Sequence, residues 1–272
     1  MGKFDGVLIA CDMDGTLLDS RTHDISAETI EKAQYLMREG GRFAFATGRI
    51  VEELREHAEL VHPNAFCICS NGAVMHDYRS GGNREIASYG DDIIPFLEYV
   101  EREFPVLMIE PSGETCIYHT NKNDALVHQR AISNVALVPT GTFRDAPRPW
   151  YKLAFWAMPD VIDSLEDKID YSLVPSEYTL VRTYPYCFEM LINSASKGKS
   201  LLEYRKIYPD LRLVAAMGDN ENDTLMLRNA DVGFAVGNAV DGAKEAADIV
   251  LTRTCNESAL CEAIDRIEMI LK

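Results

Sequence analysis

The stretch IACDMDGTLLDS (residues 9–20) places Asp12 and Asp14 two positions apart, directly after an apolar run. Residues i and i+2 of a strand share a face roughly 6–7 Å apart, so two carboxylates there repel unless a cation sits beside them. A second acidic run, Gly218-Asp219-Asn220-Glu221-Asn222-Asp223, follows the apolar LRLVAAM (211–217). Between the two, Thr47-Gly48-Arg49 follows FAFAT, and Ser70-Asn71-Gly72 follows AFCIC. Each cluster is weak alone. A D-x-D can be a solvated loop, Thr47 can be a strand-end hydroxyl, and the acidic run can face the dipole of a helix that starts there. An EF-hand loop fails, because counting from Asp219 puts Thr224 at the glycine position and Ala230 at the closing glutamate.

Together the clusters say more. If the apolar runs are neighbouring parallel strands, all four lie on the carboxyl edge of one sheet, where open α/β folds bind ligands. Carboxylates from two distant strand ends then crowd one spot and call for a divalent cation. Hard oxygen ligands with room for water and a phosphate oxygen describe Mg²⁺. Asp12 and Asp219 are the expected side-chain ligands. Asp14 can give its backbone carbonyl to the metal and keep its carboxyl for proton transfer. Gly15 permits a sharp turn and Thr16 can fasten it. Lys197, in SASKGKS, opposes the dipole of a helix beginning there, so its placement has another purpose; balancing the acidic cluster supplies one. Lys199 is the fallback and reads as exposed.

The elements must deliver that edge. VLIAC (7–11) is a continuous β-type run, as in a strand buried on both faces. Ser26 can cap a helix with Ile30, Ala33, Leu36 and Met37 on one side, stopped by Gly40-Gly41. FAFAT (43–47) is a second strand, a helix runs to about residue 60, and AFCIC (65–69) is a third strand. Crossovers this long imply parallel strands with right-handed connections. The pattern changes near Gly81-Gly82. Residues 83–192 read as helices near 91–103, 123–134 and 160–169, strands near 106–110, 115–119, 152–157, 178–183 and 186–192, and a Pro-rich loop at 139–149. TCIYH and TLVRTY invite antiparallel pairing. The alternation then returns, with a helix at about 196–207, a strand at 211–217, a helix from about 223, strand VGFAV, helix DGAKEAA, IVL and a last helix. The expected fold is α/β: a doubly wound parallel-sheet core from residues 1–82 and 193–272, with an inserted α/β domain at 83–192.

The 27 basic and 43 acidic residues give −16, which disfavours nucleic acid and anionic membrane surfaces as partners. No apolar run reaches transmembrane length, MGKFDGVLIACD lacks the shape of a signal peptide, and Gly6 breaks the myristoylation pattern. The seven scattered cysteines show no C-x-x-C or Cys/His zinc spacing, as expected of reduced thiols in a cytoplasmic enzyme. The glycosylation-type triplets at Asn222 and Asn256 read as chance.

DMDGT, a strand-terminal Thr before Gly-Arg, a Lys-Gly before a helix and GDNEND, in that order, resemble the haloacid dehalogenase (HAD) superfamily. SNGA, the late lysine, the size of the insert and VGNAVDGAKEAADIVL resemble its Cof-type, sugar-phosphatase-like branch (subfamily IIB), over essentially the whole chain. Asn193 departs from the pattern, standing where such proteins often have proline. The resemblance implies a Rossmann-like core with an α/β cap, and a Mg²⁺-dependent phosphatase of small phosphorylated metabolites such as sugar phosphates. It implies that Asp12 attacks phosphorus to form an aspartyl phosphate. Asp14 then protonates the leaving oxygen and later takes a proton from water, a cycle that asks its surroundings to raise its pKa. Thr47 and Lys197 bind phosphoryl oxygens and, with Mg²⁺, stabilise the transition state. Asp219 holds the metal and Asp223 orients a ligand or bound water. Gly48, Asn71 and Asn222 contact phosphate or metal water. Arg49 either reaches substrate or cap or forms a structural salt bridge. The insert is the lid that selects substrate, with Tyr118, His119, His128, Trp156, Arg182 and Tyr184 as possible selectors. Two rivals share these residues: a sugar phosphomutase, and a phosphoacceptor sensor, which needs neither an acid at Asp14 nor a lid.

Overall fold

All five residues of Val7–Cys11 are buried, as a run without alternation requires. Fully burying one such Val, Leu or Ile side chain contributes about 1.5–3 kcal/mol. The computed structural model describes residues 2–120 and 135–272. It divides into two units: Met1–Arg49, Leu54–Ile86 and Ala195–Lys272 form one, and Ile50–Glu53 with Ala87–Ser194 form the other. The short stretch 50–53 therefore goes with the insert, although the sequence places it within the core.

The first unit carries a five-stranded sheet in the order Ile249–Val250, Val232–Ala235, Leu213–Gly218, Val7–Cys11, Arg42–Phe45, every neighbouring pair parallel. Cys11 stands opposite both Met217 and Phe45, so Asp12 and Asp219 leave adjacent strands at nearly the same level. The connecting helix Ala27–Arg38 is capped by Ser26, whose hydroxyl accepts the Thr29 N–H at 3.1 Å, and it buries Ala33 and Leu36. Helices Arg55–Val61, Lys197–Ile207, Thr224–Asn229, Asp241–Ala246 and Ala259–Ile270 complete the alternation.

One strand differs from expectation. Cys67–Cys69 does not continue the parallel sheet; it pairs antiparallel with Val74–Asp77, which pairs antiparallel with Gly82–Glu85. A single parallel bridge, Ala46 to Ile68, ties it to the second core strand. The reason is local. After Cys69 the chain reverses through Ser70, Asn71 and Gly72, all left-handed at φ 49°, 52° and 96°, instead of crossing over through a helix. VMHD and GNRE carry too few apolar positions to announce themselves as strands.

The second unit has a six-stranded sheet in the order Tyr178–Tyr184, Cys187–Ile192, Lys152–Trp156, Met108–Ser112, Ile117–His119, Leu137–Pro139. TCIYH pairs antiparallel with Met108–Ser112 and TLVRTY with Cys187–Ile192, while Leu137–Pro139, unforeseen, pairs parallel with Ile117–His119. The expected helix at 123–134 and His128 lie outside the described residues. Among the candidate selectors, Trp156 packs in a core cluster with Met108, Ala154 and Cys187, and Arg182 is engaged by Asp163 at 2.7 Å and Glu166 at 3.2 Å. Among the described residues no helix is long and apolar enough to cross a membrane.

Candidate active site

Asp12 follows the first strand and is held there by its N–H, which donates to the Met217 carbonyl at 2.9 Å. Lys197 is the first residue of its helix, capped by the Ser196 hydroxyl, and is only 2% exposed. Its Nζ donates to Asp12 Oδ1 at 2.6 Å and to Asp223 Oδ1 at 2.8 Å. The other oxygen of Asp223 accepts the N–H groups of Asp219 (3.0 Å) and Asn220 (3.2 Å), so this wholly buried carboxylate has both oxygens engaged. Asp12, Asp219 and Asp223 each place an oxygen within 4.8 Å of the others.

One ammonium does not balance three carboxylates. Burial first, then Asp223 and Asp219, push the Asp12 carboxyl well above its ordinary value despite Lys197. Asp219 is raised as well, chiefly by burial. Burial also opposes the charge on Lys197, but Asp12 and Asp223 overcome it and hold the ammonium above its usual value. Charge is thus short by at least one cation at a cluster whose donors are all carboxylate oxygens. That donor set fits a hard divalent metal.

Gly15 shapes the approach. At φ +79° it takes a conformation that favours glycine, and a Cβ there would lie 2.4 Å from Asp219 Oδ2. Thr16 fastens the turn, as the sequence suggests, through its backbone N–H, which donates to the Met13 carbonyl at 3.3 Å. Its hydroxyl reaches across to donate to Asp219 Oδ1 at 2.6 Å.

Asp14 is the clearest correction. Arg49 grips its carboxylate with two hydrogen bonds, Nε to Oδ2 at 2.9 Å and Nη2 to Oδ1 at 2.6 Å. Partial burial pushes the Asp14 carboxyl up, but those bonds and the Arg49 charge outweigh it and leave the pKa below the ordinary value. The raised pKa expected of an acid/base is absent at rest because a guanidinium faces the carboxylate.

A third group gathers around Thr47. Its buried hydroxyl accepts the Arg49 N–H at 3.2 Å, and its carbonyl accepts the Asn71 N–H at 3.0 Å. Asn71 Oδ1 accepts from Asn222 Nδ2 at 3.5 Å and would stand 3.0 Å from a Cβ at Gly48. Gly48, Asn71 and Asn222 are therefore neighbours, though they come from three separate loops. Sequence reasoning passed over Asn238, whose Nδ2 donates to the Gly15 carbonyl at 2.8 Å.

The chain is similar to known proteins in sequence and fold. A family model described as haloacid dehalogenase-like hydrolase matches residues 9–264. YcsE of Bacillus subtilis strain 168, named 5-amino-6-(5-phospho-D-ribitylamino)uracil phosphatase, is 27% identical over 94% of this chain and 94% of its own. A haloacid dehalogenase-like hydrolase from Bacteroides thetaiotaomicron superposes with a TM-score of 0.86 at 26% identity, covering 97% of this chain and 99% of that one. The HAD subclass IIB sugar phosphatase BT4131 shares the fold, with a TM-score of 0.75 at 22% identity over 96% of this chain and 98% of that one. The chain belongs to the haloacid dehalogenase-like hydrolases and is a phosphatase of their Cof-type branch.

Proposed function

We propose that the protein is a Mg²⁺-dependent phosphatase of small phosphorylated metabolites, sugar phosphates or similar compounds, that works through an aspartyl phosphate on Asp12. The observation that carries this reading is the buried Lys197 spanning Asp12 and Asp223 beside Asp219 at the carboxyl edge of the sheet. A carboxylate kept there against its own desolvation serves chemistry better than stability.

In this reading Asp12 attacks phosphorus, so an aspartyl O–P bond forms as the ester P–O bond breaks. Asp14 gives its proton to the departing oxygen and then takes one from the water that cleaves the acyl phosphate, which frees phosphate and restores Asp12. Thr47, Lys197, Asn71, Asn222 and the backbone at Gly48 hold the phosphoryl oxygens. Asp12, Asp219 and the Asp14 carbonyl would hold Mg²⁺, which when bound neutralises negative charge at phosphorus. Asp223, with both oxygens already engaged, orients rather than ligates. Arg49 keeps Asp14 ionised at rest. A phosphate dianion that draws the guanidinium away lifts that restraint and lets Asp14 carry a proton. Residues 83–192 choose among substrates, in keeping with the sugar-phosphate and ribityl-phosphate chemistry in the names of BT4131 and YcsE. A net charge of −16, with no disulfide among the described cysteines, supports action in the cytoplasm on small molecules rather than on nucleic acid or membrane.

Phosphate release from a panel of phosphorylated metabolites, with and without Mg²⁺, tests this. Many turnovers per enzyme that need the metal are expected. Phosphoryl return to a sugar without free phosphate would make it a mutase, and a long-lived phosphoprotein without turnover would make it a sensor.

A further inference from the structure

Asn238 lies just past the strand Val232–Ala235, and its side-chain amide joins two loops. Nδ2 donates to the Gly15 carbonyl at 2.8 Å, and Oδ1 accepts the Cys255 N–H at 2.8 Å. Gly15 comes directly after Asp14 and, having no Cβ, belongs to the residue type with the widest backbone freedom. The turn built on it is closed from within at Met13, whose carbonyl accepts the Thr16, Leu17 and Leu18 N–H groups at 3.3, 2.9 and 2.9 Å, and Asn238 holds the Gly15 carbonyl from outside. The receiving loop is firm. Glu257 accepts the N–H and hydroxyl of Thr254 at 3.0 and 2.8 Å, and Glu262 accepts the N–H groups of Thr252 and Arg253 at 2.9 and 3.0 Å. Two residues beyond Asn238, the Val240 N–H donates to the Asp219 carbonyl at 2.9 Å, so the turn carrying Asn238 is fixed to the end of the neighbouring strand too. A second tie reaches the same loop further along: Asn256 Oδ1 accepts the Ser20 N–H at 2.8 Å and its hydroxyl at 3.1 Å. Of these two asparagines, Asn238 is the one that grips the residue next to Asp14.

We propose that Asn238 is a positioning residue for Asp14, anchoring Gly15 so that the Asp14 carboxyl stays aimed when Arg49 releases it. This rests on the reading of Asp14 as the reaction's acid. The Asp14 side chain is 48% exposed, so little packing holds it in place once the ion pair opens. The tether to Gly15 then sets where the proton is delivered.

Leaving-group dependence separates this role from a structural one. Phenyl phosphate needs its departing oxygen protonated, whereas p-nitrophenyl phosphate releases a stable anion and needs little help. Because kcat/KM ends at formation of the aspartyl phosphate, it reads the acid role apart from the later hydrolysis that both substrates share. Asn238→Ala should lower kcat/KM for phenyl phosphate about tenfold, a fraction of a full general-acid contribution, and leave kcat/KM for p-nitrophenyl phosphate nearly unchanged. Asp14→Asn should show the same split more strongly, and Asn256→Ala should keep the wild-type ratio. If Asn238→Ala slows both substrates equally while Asp14→Asn separates them, Asn238 is only structural. A shift of the ratio in Asn256→Ala matching that in Asn238→Ala would overturn the assignment in favour of general loop integrity. If Asp14→Asn itself fails to separate the substrates, the acid reading falls and this inference falls with it.

Discussion

Asp12→Asn is expected to lose turnover by at least about 10⁴-fold, the scale on which removing a covalent nucleophile acts, and yet to make the metal-free protein more heat-stable in alkaline buffer. The two effects share a cause. Burial, Asp223 and Asp219 raise the Asp12 pKa in the folded protein. A carboxyl whose folded pKa is raised contributes stability below its unfolded pKa, and that contribution is lost as pH rises through the folded value. Asparagine has no proton to lose and still offers an oxygen to Lys197, so its advantage should widen with pH. Mg²⁺ should reverse the order, raising the melting temperature of wild type more than that of the variant, which offers the metal a neutral amide oxygen in place of a carboxylate. Melting curves in EDTA and in Mg²⁺, from mildly acidic to mildly alkaline buffer, check both signs. A variant less stable than wild type at every pH in EDTA would mean that Lys197 more than compensates for the burial of Asp12.

Lys197→Met should fail on both counts. The ammonium is the shared partner of Asp12 and Asp223, and its removal leaves two buried carboxylates uncompensated. Breaking a buried pair this way costs about 3–5 kcal/mol. Losing a charged donor to the transferring group costs on the order of 10²–10³ in kcat. The stability loss should be smallest in acid, where Asp12, whose pKa Lys197 holds down, can take up a proton, and should grow with pH. Lys197→Arg is not expected to rescue activity, because the planar fork does not fit where a compact ammonium spans two oxygens at 2.6 and 2.8 Å. Denaturant unfolding and steady-state kinetics across pH measure both effects.

The sheet and its chemical edge were legible because both are periodic or short-range facts. VLIAC has no polar position, so it had to be covered on both faces, and the polar residues just past the strand ends are Asp12, Thr47 and Asp219. Lys197 was legible because a misplaced charge is a local signal. Gly237-Asn238 stands just past the strand VGFAV in the same way, so Asn238 carried the same signal, though no charge drew notice to it. Other features depend on where the chain goes next. Ser70-Asn71-Gly72 reads equally well as a loop before a helix or as a left-handed reversal, so the hairpin strands stayed hidden. The Arg49–Asp14 pair joins residues 35 positions apart, and no spacing rule reveals which acid an arginine will choose. That pairing also reversed the expected shift at Asp14. Thr16 could be seen to have a hydroxyl to donate, but not that its acceptor would be Asp219 from another strand.

Phosphorylation of Asp12 is the step on which every other role at this site depends. Wild-type enzyme mixed with a turned-over substrate in Mg²⁺ and quenched in acid within its first turnovers should carry phosphate on the peptide containing Asp12. Acyl phosphates survive acid and are cleaved by hydroxylamine, so mass spectrometry of that peptide before and after hydroxylamine identifies the bond. Hydroxylamine-labile phosphate on Asp12, absent from Asp12→Asn, is the predicted result. Phosphate on another residue, or Asp12→Asn turning over at the wild-type rate, would contradict it.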